Sequence, residues 1–457
     1  MAKKPKGMST FTVIWSGQIV SLLGTSMTGF ALLFWVWIET HSATAAVLMG
    51  FFQFVPLLIM TPVAGALVDR WDRKKAMILS DLIAGLGSVA ILLLYMAGTL
   101  EVWNLYVIGL FVGAFGAFQW PAFSAAITML VEKKDYARAD GMMGLAGSLS
   151  MILGPPIAAV LLVMIDISGI LVVDIVTFSY GIGVLLLIRI PQPPATEEKE
   201  LKSIWTDSVF GFRYIYARRP FLLLTLTFFM YNLLATFGVN VFAPMVLART
   251  NDSEIILGAV MSVLGIAGLI GGIVLAIWGG PKRRINGLLG GMMISVVGGI
   301  AVLPLNPYMW ALGAFVVMFF MPTVTGCSQA IWQSKVPPQL QGRVFGARRF
   351  IAQISSVFGF LLVGPLADYV LEPAMMPGGG LADLLGGVVP PGPGAGMALI
   401  IFISFTLCTV VSIVAYMSRN IRNIEDLIPD FEEKEESEEE SVEETEEPSA
   451  SERPPST

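Results

Sequence analysis

The chain has 457 residues, of which 55% are hydrophobic and only 14% charged, with a formal net charge of −6 and a mean hydropathy of +0.75. A soluble domain carries about 25% charged residues, so the composition excludes a water-soluble globular protein and indicates a chain that lives in a bilayer. Two cysteines and one histidine form no metal or redox motif, so no metal, no cofactor, no enzymatic chemistry and no nucleic-acid partner is expected.

Apolar stretches of about 20 residues, enough to cross a bilayer, recur along the chain. They fall near 11–38, 45–68, 76–97, 102–131, 139–164, 168–189, 220–247, 255–278, 285–304, 307–334, 343–370 and 397–418. Backbone polar groups in lipid must be satisfied internally, so these are helices. The first follows Lys3, Lys4 and Lys6 but is too long for a signal-peptide core; it reads as an uncleaved anchor. With these spans, all of the 28 Lys and Arg residues except Arg249 can be placed on one side of the membrane, in loops or near span ends. Basic loops stay in the cytoplasm during insertion. The alternation therefore predicts twelve transmembrane helices with both termini cytoplasmic, in the cell membrane.

The chain divides in the middle. Residues 1–190 form one six-helix half and residues 220–418 the other. Between them lies a cytoplasmic linker, residues 191–219, which opens with Pro191, Pro193 and Pro194. From Ser203 to Arg219 the apolar residues recur at helical spacing, as in an amphipathic helix on the membrane surface. The halves echo each other. Pro121 and Gly141 recur as Pro322 and Gly342 at one offset, and Gly154-Pro155 recurs as Gly364-Pro365. Two pseudo-symmetric six-helix bundles, all-α, are the expected fold, with a small-molecule site between them near the midplane. Residues 419–457 are expected to be an acidic, disordered cytoplasmic tail, whose Glu432–Glu447 run repels itself. The stretch from Pro373 to Gly396, rich in glycine and proline, reads as a flexible cover.

The sharpest local signal joins spans 2 and 3: Gly65, Asp69, Arg70, Asp72, Arg73 and then Lys74 and Lys75. An acid at the membrane rim can accept from a helix N-terminus, whose unpaired N–H groups favour an anion. The N-terminus of span 11 at Gly342 and Arg343 is the expected partner. Such a contact would gate the inner side. In span 1, Gln18, Ser21, Thr25 and Thr28 share one helical face, and in span 7 so do Asn232, Thr236 and Asn240. With Gln119 and Trp120 on span 4 and Gln329 and Trp332 on span 10, they are expected to line a substrate cavity rich in Met and Phe; interhelical hydrogen bonding is the competing role. Asp81 in span 3 and Asp174 in span 6 are the candidates for proton coupling, against structural pairing. Small residues and prolines at Gly154, Pro155, Gly364 and Pro365 point to close helix packing.

This pattern resembles the major facilitator superfamily. The loop between spans 2 and 3 has that superfamily's Gly-to-Asp-Arg form, with Asp72 in place of its second glycine. With Trp15-Ser16-Gly17-Gln18, Asp81, Asp174 and Phe178, Gly342-Arg343-Val344-Phe345 and Gly364-Pro365-Leu366-Ala367-Asp368, it resembles the drug-efflux branch that includes macrolide and enterobactin exporters. The resemblance implies a monomeric secondary transporter that exports amphipathic organic compounds by alternating access, with proton antiport. The rival readings are a siderophore or lipid exporter and a non-transporting membrane sensor or scaffold.

Overall fold

A computed structural model of the chain describes residues 7–68, 71–131, 135–188 and 204–430. Eleven stretches among these are long and apolar enough to cross a membrane. One of them, Gly141–Leu187, has 47 residues. A helix of that length would extend about 70 Å at 1.5 Å per residue, more than twice a bilayer's hydrocarbon core. It does not run straight: Asp166 takes φ 58°, a left-handed conformation that L-residues adopt only at turns. The break makes two spans of one, and the chain has twelve.

The helices are α1 (Met8–Thr40), α2 (Ala43–Val68), α3 (Arg73–Met96), α4 (Val102–Gly116) with α5 (Gln119–Leu130), and the broken α6 (Tyr136–Leu187). The linker helix α7 (Ile204–Ala217) leads to α8 (Arg219–Arg249), α9 (Glu254–Trp278), α10 (Arg284–Met293) with α11 (Ser295–Ala301), α12 (Pro307–Lys335) and α13 (Pro338–Leu366). The short α14 (Glu372–Met375) and α15 (Ala382–Leu385) precede α16 (Ala395–Met417), α17 (Arg419–Arg422) and α18 (Ile424–Leu427). Large apolar side chains cover the outside of the bundle, Leu187 at 87% and Ile277 at 83% exposure. That surface is costly in water and ordinary in lipid.

The two ends of the bundle are packed differently. At the end that carries the basic loops, called here the basic end, each half has its own core. One is built around Phe11, Phe118, Phe123 and Met77, the other around Phe221, Trp332, Leu288 and Ile424. At the far end one core takes residues from both halves, including Met27, Trp37, Val47, Met245, Trp310, Val363 and Met397. Small residues make this join possible. A Cβ on Gly364 of α13 would fall 2.6 Å from the Thr44 Cα of α2, and one on Gly258 of α9 would fall 2.7 Å from the Ala159 Cβ of α6.

Two expectations about irregular segments are corrected. The stretch from Pro373 to Gly396 is a folded insert: Met375 and Val389 are 0% and 1% exposed in the shared core. The Glu372 carboxylate accepts from Gly394 N at 3.2 Å and Met397 N at 3.1 Å, fixing the entry to α16. The acidic tail, expected from residue 419, starts with a docked segment. Ile421 and Ile424 are 4% and 0% exposed, and apolar burial of that completeness holds a segment in place. The run from Glu432 to Glu447 lies outside the described residues.

Candidate functional site

Asp81 stands at the meeting point of three helices. Gln18 of α1 donates from Nε2 to Asp81 Oδ2 at 3.2 Å. Gln119 of α5 donates from Nε2 to Asp81 Oδ1 at 2.8 Å and to Gln18 Oε1 at 2.9 Å. Asp81 is 8% exposed and Gln18 4%. A carboxylate taken out of water needs such donors, and here each oxygen has one. Spacing placed Gln18 and Gln119 with the cavity residues and Asp81 apart from them; the fold ties all three together.

Asp174 forms a second buried acid site, nearer the far end. Ser88 of α3 donates to its Oδ2 at 2.7 Å, and the Thr177 hydroxyl donates to the Asp174 carbonyl at 2.8 Å. Asp174 Oδ1 and the Thr28 hydroxyl are both buried.

The other expected cavity residues divide. Thr25 is exposed, Trp120 is 59% exposed, and Ser21 is half-buried. Trp332 does not face a cavity: it is 0% exposed and stacks on Phe221 with ring centroids 4.5 Å apart. Gln18 is likewise turned into the helix bundle by its bond to Asp81. Asn240 donates to the Thr236 carbonyl within α8, and Thr236 reaches Ser356 of α13 at 3.2 Å; Asn232 is half-buried beside them. Gln329 accepts from Arg348 Nη2 at 3.0 Å. The polar stripe of α8 therefore serves helix contacts within one half. Between the halves, a cavity of about 320 Å³ opens against α6, α9 and α12, lined by Ser148, Met151, Leu264, Met318, Met321 and Thr325 among others. None of the residues expected to line a cavity is among them; its methionines make an apolar, adaptable wall.

Of the expected inner gate, Asp69 and Arg70 lie outside the described residues. Gly65 falls within α2. Asp72 is the N-cap of α3, accepting from Lys75 N at 3.1 Å, a local contact that satisfies an orphan donor of the first turn. Arg73 opens the same helix. Across the basic end, Gly342 has open space where a Cβ would stand, and the Arg343 guanidinium lies 5.7 Å from the Phe210 ring centre. Gly154 packs against Ser26, and the Pro155 carbonyl lies 3.2 Å from where a Gly258 Cβ would be. Pro365 lies one residue before the end of α13, where the chain passes into a π-helical turn, Ala367–Leu371.

Sequence reasoning missed the mirror image of its own gate. At the far end Asp368, just past α13, caps the start of α2. It accepts from the Ser42 hydroxyl at 2.6 Å, from Ala43 N at 2.9 Å and from Thr44 N at 2.8 Å. Beside it, Trp37 Nε1 donates to Asp252 Oδ1 of the other half at 2.7 Å. The signal was present: an acid directly after an apolar span, facing a Ser-Ala-Thr helix start elsewhere in the chain.

Twelve membrane helices in two halves, joined at one end and with separate cores at the other, around buried polar groups, are the architecture of a membrane transporter. The chain belongs to the Major Facilitator Superfamily, whose sequence pattern it matches over residues 14–360. It is 26% identical over 369 residues to macrolide efflux protein A of Streptococcus pyogenes, covering 79% of this chain and 90% of that protein. It is 25% identical to the enterobactin exporter EntS of Shigella flexneri, covering 83% of this chain and 90% of that one. A crystal structure of a bacterial homologue of the human lysosomal transporter Spinster, inward-facing and unoccupied, shares the fold with a TM-score of 0.62 at 16% identity, covering 90% of this chain and 96% of that one.

Proposed function

We propose that the protein exports amphipathic organic compounds across the cell membrane in exchange for protons. The observation that carries this reading is Asp81, a buried carboxylate bonded at both oxygens to α1 and α5. Protonation turns one of its oxygens from an acceptor into a donor. One amide must then release or reverse, so the proton state of Asp81 is felt by two further helices. A buried acid in a membrane helix is by default a functional group. The basic loops put the split end in the cytoplasm. In that orientation the shared core lies on the outer side and each half keeps its own core on the inner side, which supports a cycle that loads a compound from the cell. The apolar cavity with three methionines on its wall suits a bulky, mostly uncharged ligand.

The test is drug resistance in a pump-deficient host, comparing wild type with Asp81→Asn, with and without a protonophore. The expected result is resistance that collapses with the protonophore and is lost in the variant. Resistance unchanged in Asp81→Asn would remove the assignment.

A second reading rests on Arg348. Its Nη1 is buried without a hydrogen-bond partner, and its guanidinium lies 5.3 Å from the Trp332 ring centre. An arginine at membrane depth with unused donors favours an anionic ligand such as a siderophore. Competition of drug efflux by an anionic catecholate, relieved in Arg348→Gln, would support that reading; no competition would exclude it.

A further inference from the structure

The basic end of the C-terminal half carries a charged surface that the transport reading leaves unused. There α7 lies against the start of α13. A Cβ on Gly211 of α7 would fall 2.9 Å from the Ala347 Cβ of α13, and Phe212 meets Phe350 edge-on with ring centres 6.1 Å apart. Around this join stand five exposed arginines: Arg213, Arg218, Arg219, Arg343 and Arg349. Over residues 204–219 and 338–350 the sequence has a single acid, Asp207. Both α8 and α13 begin here, and neither has an acid in its first turn or a side-chain cap. The positive ends of two helices therefore add to the arginines rather than offset them. Like charges gathered in this way repel, and an anionic segment laid across them relieves the repulsion. Arginine suits that role, because its planar fork matches a carboxylate.

The chain itself supplies such a segment. From Glu432 to Glu447 the sequence has eleven glutamates and one lysine. The run begins beside the arginine face. Ile421, Ile424 and Ile428 of the docked segment pack in the same core as Tyr214 and Ile215 of α7 and Val344 and Ala347 of α13. Asp430 is tied to Lys335 at 2.8 Å, so Glu432 follows a fixed point by two residues. At about 3.5 Å per residue, Glu447 reaches at most about 60 Å from that point. Single exposed ion pairs are weak, but a tethered segment meets its site at a local concentration of the order of millimolar, and many glutamates act on the arginines together.

We propose that the glutamate run of residues 432–447 docks on the arginine face of α7 and α13 and covers the start of α13 at Gly342 and Arg343. The occupant is this chain's own tail. The proposal concerns binding within a resting chain, without a transported compound or a proton gradient, and does not rest on the efflux reading.

The test is the distance between two spin labels on the full-length protein, one at Gly342→Cys and one at Ser441→Cys, read by double electron–electron resonance in phosphatidylcholine nanodiscs. Gly342 has open space for a side chain. The native Cys327 and Cys408 are 2% and 0% exposed and should stay unlabelled. One narrow distance is expected at low salt. Raising the salt from about 0.05 M to about 0.5 M shortens the Debye length about threefold and should abolish the narrow population. Replacing Arg213, Arg219 and Arg349 together by glutamine should abolish it at low salt. Replacing Lys75, Arg138 and Lys282 by glutamine removes as many exposed cations elsewhere at the basic end and should preserve it. If the arginine variant does not yield folded protein by gel filtration, glutamine at Glu438, Glu439, Glu440, Glu443 and Glu444 must give the same loss. A broad distribution at low salt in the otherwise unsubstituted chain, or equal loss in the two cation variants, would overturn the docking. Loss of the narrow distance when the bilayer contains anionic phosphatidylglycerol would give the arginine face to the membrane and overturn it as well.

Discussion

The far end and the basic end of the bundle are made of similar helices but closed by different means. At the far end the halves share one apolar core, pinned by a carboxylate on a helix start and by glycines where backbones meet. At the basic end each half keeps its own core, and the docked segment after α16 is held by polar contacts within its own half. Glu425 caps the start of α10, accepting from Arg284 N at 3.0 Å and Ile285 N at 3.2 Å. Lys335 donates to the Glu425 carbonyl at 2.7 Å and pairs with Asp430 at 2.8 Å. Contacts that join halves must break in a transport cycle, whereas contacts inside a half can persist through it. The far end is therefore built to open, and the basic end to keep each half rigid while the two move apart.

This contrast is broken most strongly by truncation at the basic end. Ending the chain after Ser418 removes Ile421 and Ile424, 4% and 0% exposed, along with the Glu425 cap. Fully burying an isoleucine contributes about 1.5–3 kcal/mol, so the loss for two is about 3–6 kcal/mol. Thermal unfolding should show a marked drop for this truncation. A chain ending after Asp430 should unfold close to wild type. Equal stability of the two truncations would show that the docked segment holds nothing.

Asp368→Ala comes next, at the opposite end. Hydrogen bonds to a charged group contribute about 1.5–3 kcal/mol net, and three that share one carboxylate do not add fully; a loss of about 2–3 kcal/mol from the closed far end is expected. Val363, 0% exposed in wild type, reports on it. A cysteine placed there should be protected from a water-soluble maleimide in the parent and labelled in Asp368→Ala. Gly364→Val acts on the same join through sterics: its Cβ would fall 2.6 Å from the Thr44 Cα. Overpacking of this kind costs about 1–3 kcal/mol. The same labelling should rise, and efflux should slow, without loss of folded protein.

The sequence made much of this fold legible, for a physical reason. A span is a long run of residues with one property, and basic loops mark alternate turns, so twelve helices could be placed without any tertiary knowledge. The short break between spans 5 and 6 falls between the expected bounds 139–164 and 168–189, where the structure turns at Asp166. The site was harder to read. Gln18, Asp81 and Gln119 lie far apart in sequence, and nothing local shows that they meet. Helical spacing gave the polar faces of α1 and α8 but not their targets: α8 turned Thr236 towards α13, while Gln18 turned towards α3. Composition misled in the stretch from Pro373 to Gly396. Glycine and proline there permit tight turns that carry Met375 and Val389 into the shared core, rather than a loose cover. The tail boundary failed similarly, because Ile421 and Ile424 are two apolar residues beside a long acidic run.

The smallest expected effects decide what holds the docked segment to α10. Arg283 and Asp426 form an ion pair whose side chains are 46% and 65% exposed. Exposed pairs contribute at most about 1 kcal/mol, so Arg283→Ala should shift thermal unfolding hardly at all, and less still at high salt. Glu425→Ala, which strips a cap from two backbone N–H groups, should cost about 1 kcal/mol or somewhat more and should be nearly independent of salt. If Arg283→Ala proves the costlier of the two, surface charge rather than helix capping fastens the segment, and the rigidity assigned to the basic end would depend on ionic strength.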